Sequence, residues 1–559
     1  MTLSCDAATA LGPDRTREEL IPFISSSTDD DDDEVLRTIA ERVGGLACCV
    51  GGDAYSHKVL APLELLLAVE ENSVRDAAVA SIHTVLSKMS NEHVVAHYVP
   101  FLRRLATKDW FSSRISAAEL FHVAMSRMPE AERVPLAALF LKLCRDDTPL
   151  VRRVAAQYLG SVAGGLQPAV AGDFVGAFIA LVGDEQDSVR IQAIMHCSSL
   201  LERLAAENKV RQVLPLVLES AHDKSWRVRW ALSNSLHGIC RVASDSSSLA
   251  AFGSAFQGLL GDTEPEVRAA AAGIIAEMAR LLRKEQTVSR VLPSLQRLVS
   301  DPSERVRAVL STAINGLAAD MSKEDTVDLL LPLLLQLLRD ENSEVRLNVV
   351  SNLASINKTI GAALLSQSLL PAVVELASDV KWRVRLAIIE SVPLLATQLG
   401  REFFTEKLSA LCAQWLVDEV YSVRRAAIAN LLALAEGPLD AAWAADFVLP
   451  CMVQLQSSPN YLLRTTCVYL AHAMLRAVPA QLVQSTVIPL LLRLAADNVP
   501  NVRFAAARAM HLMAEEEQLL RKVGAALVHE MRRCLDEQAG DSDRDVSFYA
   551  KGALMALGQ

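Results

Sequence analysis

The sequence predicts an all-α protein: an α-solenoid, or superhelix, of about 14 units with two antiparallel helices each. Three observations predict it. The first is a fixed period. Asp, four residues, then Val-Arg recurs along the chain, with valines at Val189, Val228, Val267, Val306, Val345, Val384 and Val423. Each step is 39 (228−189 through 423−384). Asp184, Asp223, Asp262, Asp301, Asp340, Asp379 and Asp418 keep step. A period of roughly 20–50 residues marks a stack of units, each touching only its neighbours. The second observation is helical spacing of apolar residues after each Val-Arg, as from Val345 to Leu353. The third is composition. Hydrophobic residues make up 51% but aromatics only 5%, so the core is built of small aliphatics that suit close helix packing.

Met1 to Gly12 contains Ala7-Ala8-Thr9-Ala10-Leu11, which resembles the tail of a helix lacking its partner; residues 1–14 are expected to be a remnant of an incomplete unit. The first full unit begins at Arg15, with Ile21-Pro22 in its first helix and the acidic run Asp29 to Glu34 before Val35. The slot returns at Val74-Arg75, Ser113-Arg114 and Val151-Arg152. After Val423 it returns at Leu463-Arg464, Val502-Arg503 and Val546, the last after 44 residues (546−502), with the excess expected between Gln538 and Arg544.

Within each unit the first helix carries a proline in an apolar run: Val99-Pro100, Leu214-Pro215, Leu292-Pro293, Leu331-Pro332, Leu370-Pro371, Leu449-Pro450 and Ile488-Pro489. An interior proline removes a backbone hydrogen bond, so a similar bend is expected in each. The second helix is expected to start at the Val-Arg step, with the Asp in the preceding turn. In a stack, equal positions form ladders. The Asp of one unit is expected to reach the Arg of its neighbour, in a structural role.

No catalytic constellation is present. The sequence lacks a phosphate-binding G-x-x-x-x-G-K-[ST], a G-x-S-x-G elbow and an H-E-x-x-H pair. His93 and His97, four apart on a helix, have no clustered acid or thiol beside them and read as a solvated or core pair. The Asp29–Asp33 run lacks the glycine and terminal glutamate of a calcium loop. The chain is expected to need no cofactor or metal and to be no enzyme. A net charge of −11 argues against sequence-independent nucleic-acid binding. No apolar run reaches the ~20 residues of a membrane span, and the opening residues lack the pattern of a secretory signal. None of the ten cysteines forms C-x-x-C. Reduced thiols in a cytoplasmic or nuclear protein are expected.

One slot stands out. The residue two before the Val position is Phe111, Pro149, Trp226, Pro265, Trp382, Tyr421, Tyr461 or Pro500, while Asn72, Asp187, Glu304 and Ser343 fill it elsewhere. Trp226 and Trp382 are each followed by arginine, Arg227 and Arg383, and Trp110 is adjacent to the slot. Aromatics and Arg are typical interface anchors. Alternatively each ring folds back as a hydrophobic staple on its own helix start; that reading is favoured for Phe111.

A helix pair of about 39 residues with a bent first helix resembles the HEAT repeat. The loops are more specific. Asp223-Lys-Ser-Trp-Arg-Val-Arg229, Lys381-Trp-Arg-Val-Arg385, Asp146-Asp-Thr-Pro-Leu-Val-Arg-Arg153, Asp184-Glu-Gln-Asp-Ser-Val-Arg190, Ser366-Gln-Ser-Leu-Leu-Pro371, Asp109-Trp-Phe-Ser-Ser-Arg114 and Glu402-Phe-Phe404 resemble the scaffolding A subunit of protein phosphatase 2A. That resemblance implies a non-enzymatic scaffold with two partners bound along the intra-repeat loops. The phosphatase catalytic subunit would meet Trp382, Arg383, Tyr421, Tyr461, Arg464, Val499 and Asn501, in repeats spanning 286–559. Exchangeable regulatory B-type subunits would meet Glu70, Glu71, Trp110, Asp147, Pro149, Arg152, Arg153, Trp226 and Arg227, in repeats spanning 15–285. The family has fifteen repeats, so the incomplete N-terminal unit puts some regulatory contacts in doubt. The rival readings are a HEAT-repeat nuclear transport receptor, which small-GTPase binding would reveal, and an enzyme, which activity of the chain alone would reveal.

Overall fold

The computed structural model describes residues 5–29, 32–167, 173–205, 210–243, 248–282, 284–351, 358–359, 361, 370–399 and 401–558. Parts of three sequence features fall outside these: Met1–Ser4, Asp30-Asp31 of the acidic run, and 366–369 of the Ser366–Pro371 motif.

The described chain forms two compact units, Met1–Leu298 and Val299–Gln559. In each, helices alternate in the order the period predicts. The first unit runs through helix pairs such as Leu60–Leu66 with Asn72–Lys88 and Val210–Glu219 with Trp226–Ala243. The second runs from Glu304–Ala318 to Arg544–Gly558. Successive second helices pack side by side: Trp382–Leu399 on Tyr421–Glu436, that on Tyr461–Ala477, and that on Pro500–Glu515. The Val of most slots is buried, as Val228, Val345, Val384 and Val502 are, while Val35 in the first slot is 40% exposed. The surplus of the last unit is not in the turn, where Asp541 precedes Val546 by the usual five residues. The extra residues lie before Asp541, in the stretch that holds helices Glu517–Val523 and Ala525–Gln538, so Arg503 and Asp541 stand 38 apart where Arg464 and Asp497 stand 33 apart.

Two local features differ from the expectation. The second helix begins at the aromatic-or-proline slot, two residues before Val. Phe111, Pro149, Trp226, Pro265, Trp382, Tyr421, Tyr461 and Pro500 are each the first residue of a helix. Proline fits there because its missing N–H has no partner to lose in the first turn. Most prolines of the first helices follow a widened turn rather than sitting in a simple kink, while Pro215 lies inside α-helix Val210–Glu219 as expected. A five-residue π turn ends two residues before proline at Val94–Tyr98, Thr287–Val291, Thr326–Leu330, Ala444–Val448 and Val483–Val487. There the backbone bonds reach back five residues, as from Val99 N to Val94 O. The wider turn makes room for the ring and for the carbonyl that proline leaves unbonded.

The expected ladder is present. Arg229 donates from Nε and Nη2 to Asp262 at 2.6 and 2.9 Å, and from Nη1 to the Asp223 carbonyl of its own unit at 2.8 Å. The same fork joins Arg114 to Asp146, Arg152 to Asp184, Arg190 to Asp223, Arg307 to Asp340, Arg346 to Asp379, Arg385 to Asp418, Arg464 to Asp497 and Arg503 to Asp541. Each aspartate also accepts the N–H two residues on, as Asp184 does from Gln186 at 2.9 Å. One carboxylate therefore closes its own turn and clamps the preceding unit.

Candidate docking ridge

The turns between paired helices lie at the surface. At their edge stand the side chains that open the second helices. Tyr421 is 54% exposed, Tyr461 38%, and Trp110, at the cap just before Phe111, 50%. Trp226 and Trp382 are half-buried, with the exposed Arg227 and Arg383 beside them. The Arg227 guanidinium lies 5.3 Å from the Trp226 ring centroid, and Arg383 lies 5.0 Å from that of Trp382. A cation over a ring face is held by the ring quadrupole, so each pair is preassembled. Arg227 also approaches Asp187 of the neighbouring repeat at 3.9 Å. The Phe111 ring is half-buried and tilted against its neighbour Trp110.

The other nominated residues sort by what already holds them. Arg152 and Arg464 are rungs of the ladder: Arg152 is bonded to Asp184 and to the Asp146 and Asp147 carbonyls, Arg464 to Asp497 and to the Ser458 and Pro459 carbonyls. Their donors are engaged within the chain. Glu71 caps helix Asn72–Lys88 by accepting the Ser73 N–H at 3.1 Å, a bond that lowers its pKa. Glu70, Asp147, Arg153 and Asn501 are exposed; Pro149 and Val499 are half-buried at the same helix starts.

Sequence reasoning missed apolar neighbours on these turns. Val380 is 92% exposed. Its equivalents after the slot aspartate are Asp147, Glu185, Lys224, Thr263, Pro302, Glu341, Glu419, Asn498 and Ser542, polar in every case but Pro302, so the departure was readable in the sequence. Leu150 and Leu462, each following a slot residue, are also exposed.

The ladder acids are electrostatically stabilised. Arg464 holds the Asp497 carboxyl below the ordinary carboxylate range against the opposing effect of burial, and Arg503 does the same for Asp541. At Asp184, Asp223 and Asp262 burial is the largest influence and pushes upward, but the partner guanidinium and the turn N–H together outweigh it.

The His93–His97 pair gains a third ring, His57, which stacks on His97 at 3.6 Å between centroids. Among the described residues no group of three or more His, Cys, Asp or Glu is arranged to hold a metal, and no helix is long and apolar enough to cross a membrane.

Paired helices in series, an Asp–Arg ladder and exposed turns define a HEAT-repeat α-solenoid. Matching family descriptions each cover part of the chain: a PPP2R1A-like HEAT repeat at 248–321, the middle domain of PIK3R4-like proteins at 311–506, and the vacuolar 14 Fab1-binding region at 185–283. Solved structures of similar fold include yeast importin-beta (Kap95p), with a TM-score of 0.53 and 16% identity over 98% of this chain and 70% of that one. Kap95p with RanGDP gives 0.55 and 13% over 97% and 75%. At such identity the likeness is of fold alone.

Within that class the chain is homologous to the regulatory A subunits of protein phosphatase 2A. It is 41% identical to that of Schizosaccharomyces pombe over 242 residues, 43% of this chain and 41% of the relative. It is 43% identical to the probable Caenorhabditis elegans regulatory subunit over 210 residues, 37% of this chain and 35% of that one. It is 35% identical to that of Saccharomyces cerevisiae over 234 residues, 40% and 37%. The aligned stretches thus span less than half the length of these relatives.

Proposed function

We propose that this chain is a non-catalytic scaffold of a protein phosphatase 2A holoenzyme. It would hold the phosphatase catalytic subunit on the turns of its C-terminal repeats and a regulatory B-type subunit on those of its N-terminal repeats. The observation that carries the reading is the pair of Trp–Arg assemblies, Trp226–Arg227 and Trp382–Arg383, each a half-buried ring beside an exposed guanidinium, at matching helix starts in a chain similar to the A subunits. Ring and guanidinium already held together lose little freedom on docking, which suits an anchor. Tyr421, Tyr461, Val499 and Asn501 would extend the catalytic-subunit contact; Glu70, Glu71, Trp110, Asp147, Pro149 and Arg153 the regulatory one. Arg152 and Arg464 would serve by fixing the turns that carry these groups. Cysteines that form no disulfide among the described residues suit a reducing compartment, which supports a scaffold of the cytoplasm with access to the nucleus.

The test is a pull-down of the catalytic subunit by the Trp382→Ala/Arg383→Ala chain. Truncating such anchors costs about 2 kcal/mol or more each, so binding is expected to fall at least about tenfold with helicity unchanged. Undiminished capture would remove this ridge from the interface.

A further inference from the structure

The ladder is interrupted at Arg424. This arginine holds the ladder position on helix Tyr421–Glu436, but the next repeat offers Ser458 where most offer aspartate (418+40). Arg75, whose next repeat offers Lys108, is a second such break and is held by Asn72 and the Val69 and Glu70 carbonyls. Ser458 keeps the turn, accepting the Asn460 N–H at 3.2 Å, yet supplies no charge. Arg424 instead donates from Nε to the Thr466 hydroxyl at 3.1 Å and from Nη1 to the Asp418 and Glu419 carbonyls at 2.7 and 3.0 Å. It is 5% exposed, and among the described residues it has no carboxylate partner and no acceptor for Nη2. A buried charge without a counter-ion is unfavourable, and every regular rung avoids it.

Arg424 lines a cavity of about 240 Å³ formed by the second helices of three successive repeats. Arg425 and Arg508 line it too, with Tyr421, Tyr469 and His472; no acidic residue does. Arg425 and Arg508 are exposed and form no ion pair among the described residues. The Nε2 of His472 is buried without a hydrogen-bond partner. At a regular rung one carboxylate answers one guanidinium. Here three guanidiniums line one cavity with no carboxylate among its walls, Arg424 lying 5.8 Å from the Tyr421 ring centroid and Arg508 5.9 Å from that of Tyr549.

We propose that this cavity is an oxyanion site that takes the dianionic phosphoryl group of a phosphate monoester. Three fixed positive charges match a dianion better than a single carboxylate. Guanidinium forks present paired donors at the spacing of phosphoryl oxygens. His472 and the two tyrosines add neutral polar groups. The phosphoryl group can come from a small free phosphate or from a phosphorylated side chain of a protein; the chemistry at the cavity is the same.

The test is calorimetric titration of the full chain with inorganic phosphate, in phosphate-free buffer of low ionic strength. Saturable binding is expected. Arg508→Gln is expected to weaken it at least tenfold. Ser458→Asp returns a carboxylate to the ladder and is expected to weaken it as much while keeping helicity and thermal midpoint. Arg521→Gln, an exposed change elsewhere in the same unit, should leave it unaltered. No saturable binding, unaltered binding in Ser458→Asp, or equal weakening by Arg521→Gln would overturn the proposal. A second titration uses a phosphoserine hexapeptide. Tenfold tighter binding than phosphate identifies a protein side chain as the source, and equal binding identifies a free phosphate. The titration needs no phosphatase subunit, so its failure leaves the scaffold proposal standing, and the reverse holds for the pull-down.

Discussion

Arg383 and Arg385 stand two residues apart with opposite roles. Arg383 lies exposed over Trp382, whereas Arg385 is locked to Asp418 and to the Asp379 carbonyl. Arg227 and Arg229 divide in the same way. Residues i and i+2 on a helix project from different faces, so one side of the helix start is structural and the other is free. Arg152 and Arg153 make the contrast testable. Arg153→Ala is expected to weaken regulatory-subunit capture without moving the thermal midpoint. Arg152→Ala is expected to lower the midpoint, because Asp184 loses its partner; both are read by thermal melts beside a pull-down. This split was half legible. The period marked Arg152 and Arg464 as ladder positions, but the family resemblance also nominated them as contacts, and only the bond pattern separates the two roles. Val380 and Ser458 were visible as departures from the repeat, yet their meaning depends on neighbours supplied by other helices.

At the scale of the element, the clamp between repeats is partly buried, unlike an ordinary surface pair worth ~0–1 kcal/mol. In Arg229–Asp262 the side chains are 14% and 6% exposed. Asp262→Asn leaves that guanidinium facing an amide, a loss on the order of 3 kcal/mol. Adding Arg229→Met is expected to recover part of it, which a double-mutant cycle of thermal melts would measure. The clamps also set a pH response. Asp184, Asp223, Asp262, Asp497 and Asp541 all have folded pKa values below their ordinary ones. Their stabilisation is therefore complete above the unfolded carboxylate value of about 3.9 and is lost as pH falls through the lower folded values. Circular-dichroism melts should show no ladder-dependent change between about pH 7 and 5 and a steep fall below about pH 4; a ladder-dependent loss already at pH 5 would contradict it. Pairing, helix order and proline register were legible in the sequence because each follows from a fixed spacing. The π turn was not, because a missing N–H can be met by a kink or by a wider turn, and packing decides.

At the scale of the whole molecule, bonding is between neighbours. Arg307 meets Asp340 and Arg346 meets Asp379, and second helices touch the next in line. Such an array need not melt as one cooperative block. Scanning calorimetry of the full chain is expected to give a calorimetric enthalpy well above the van't Hoff value; equality would show single two-state unfolding. The period was legible because a fixed spacing survives any loop detail, while the Arg424 cavity was not, since it is assembled from three repeats. The clamp has one more consequence. Each takes its base from one repeat and its acid from the next, so a duplication or deletion of one whole period rejoins a matching pair at the seam. A cut that removes the acid and keeps the base strands a cation there, whereas length gained or lost between them is absorbed, as Arg503 reaches Asp541 across 38 residues and Arg114 reaches Asp146 across 32. Such arrays can change the length of a repeat as long as each seam keeps one base and one acid.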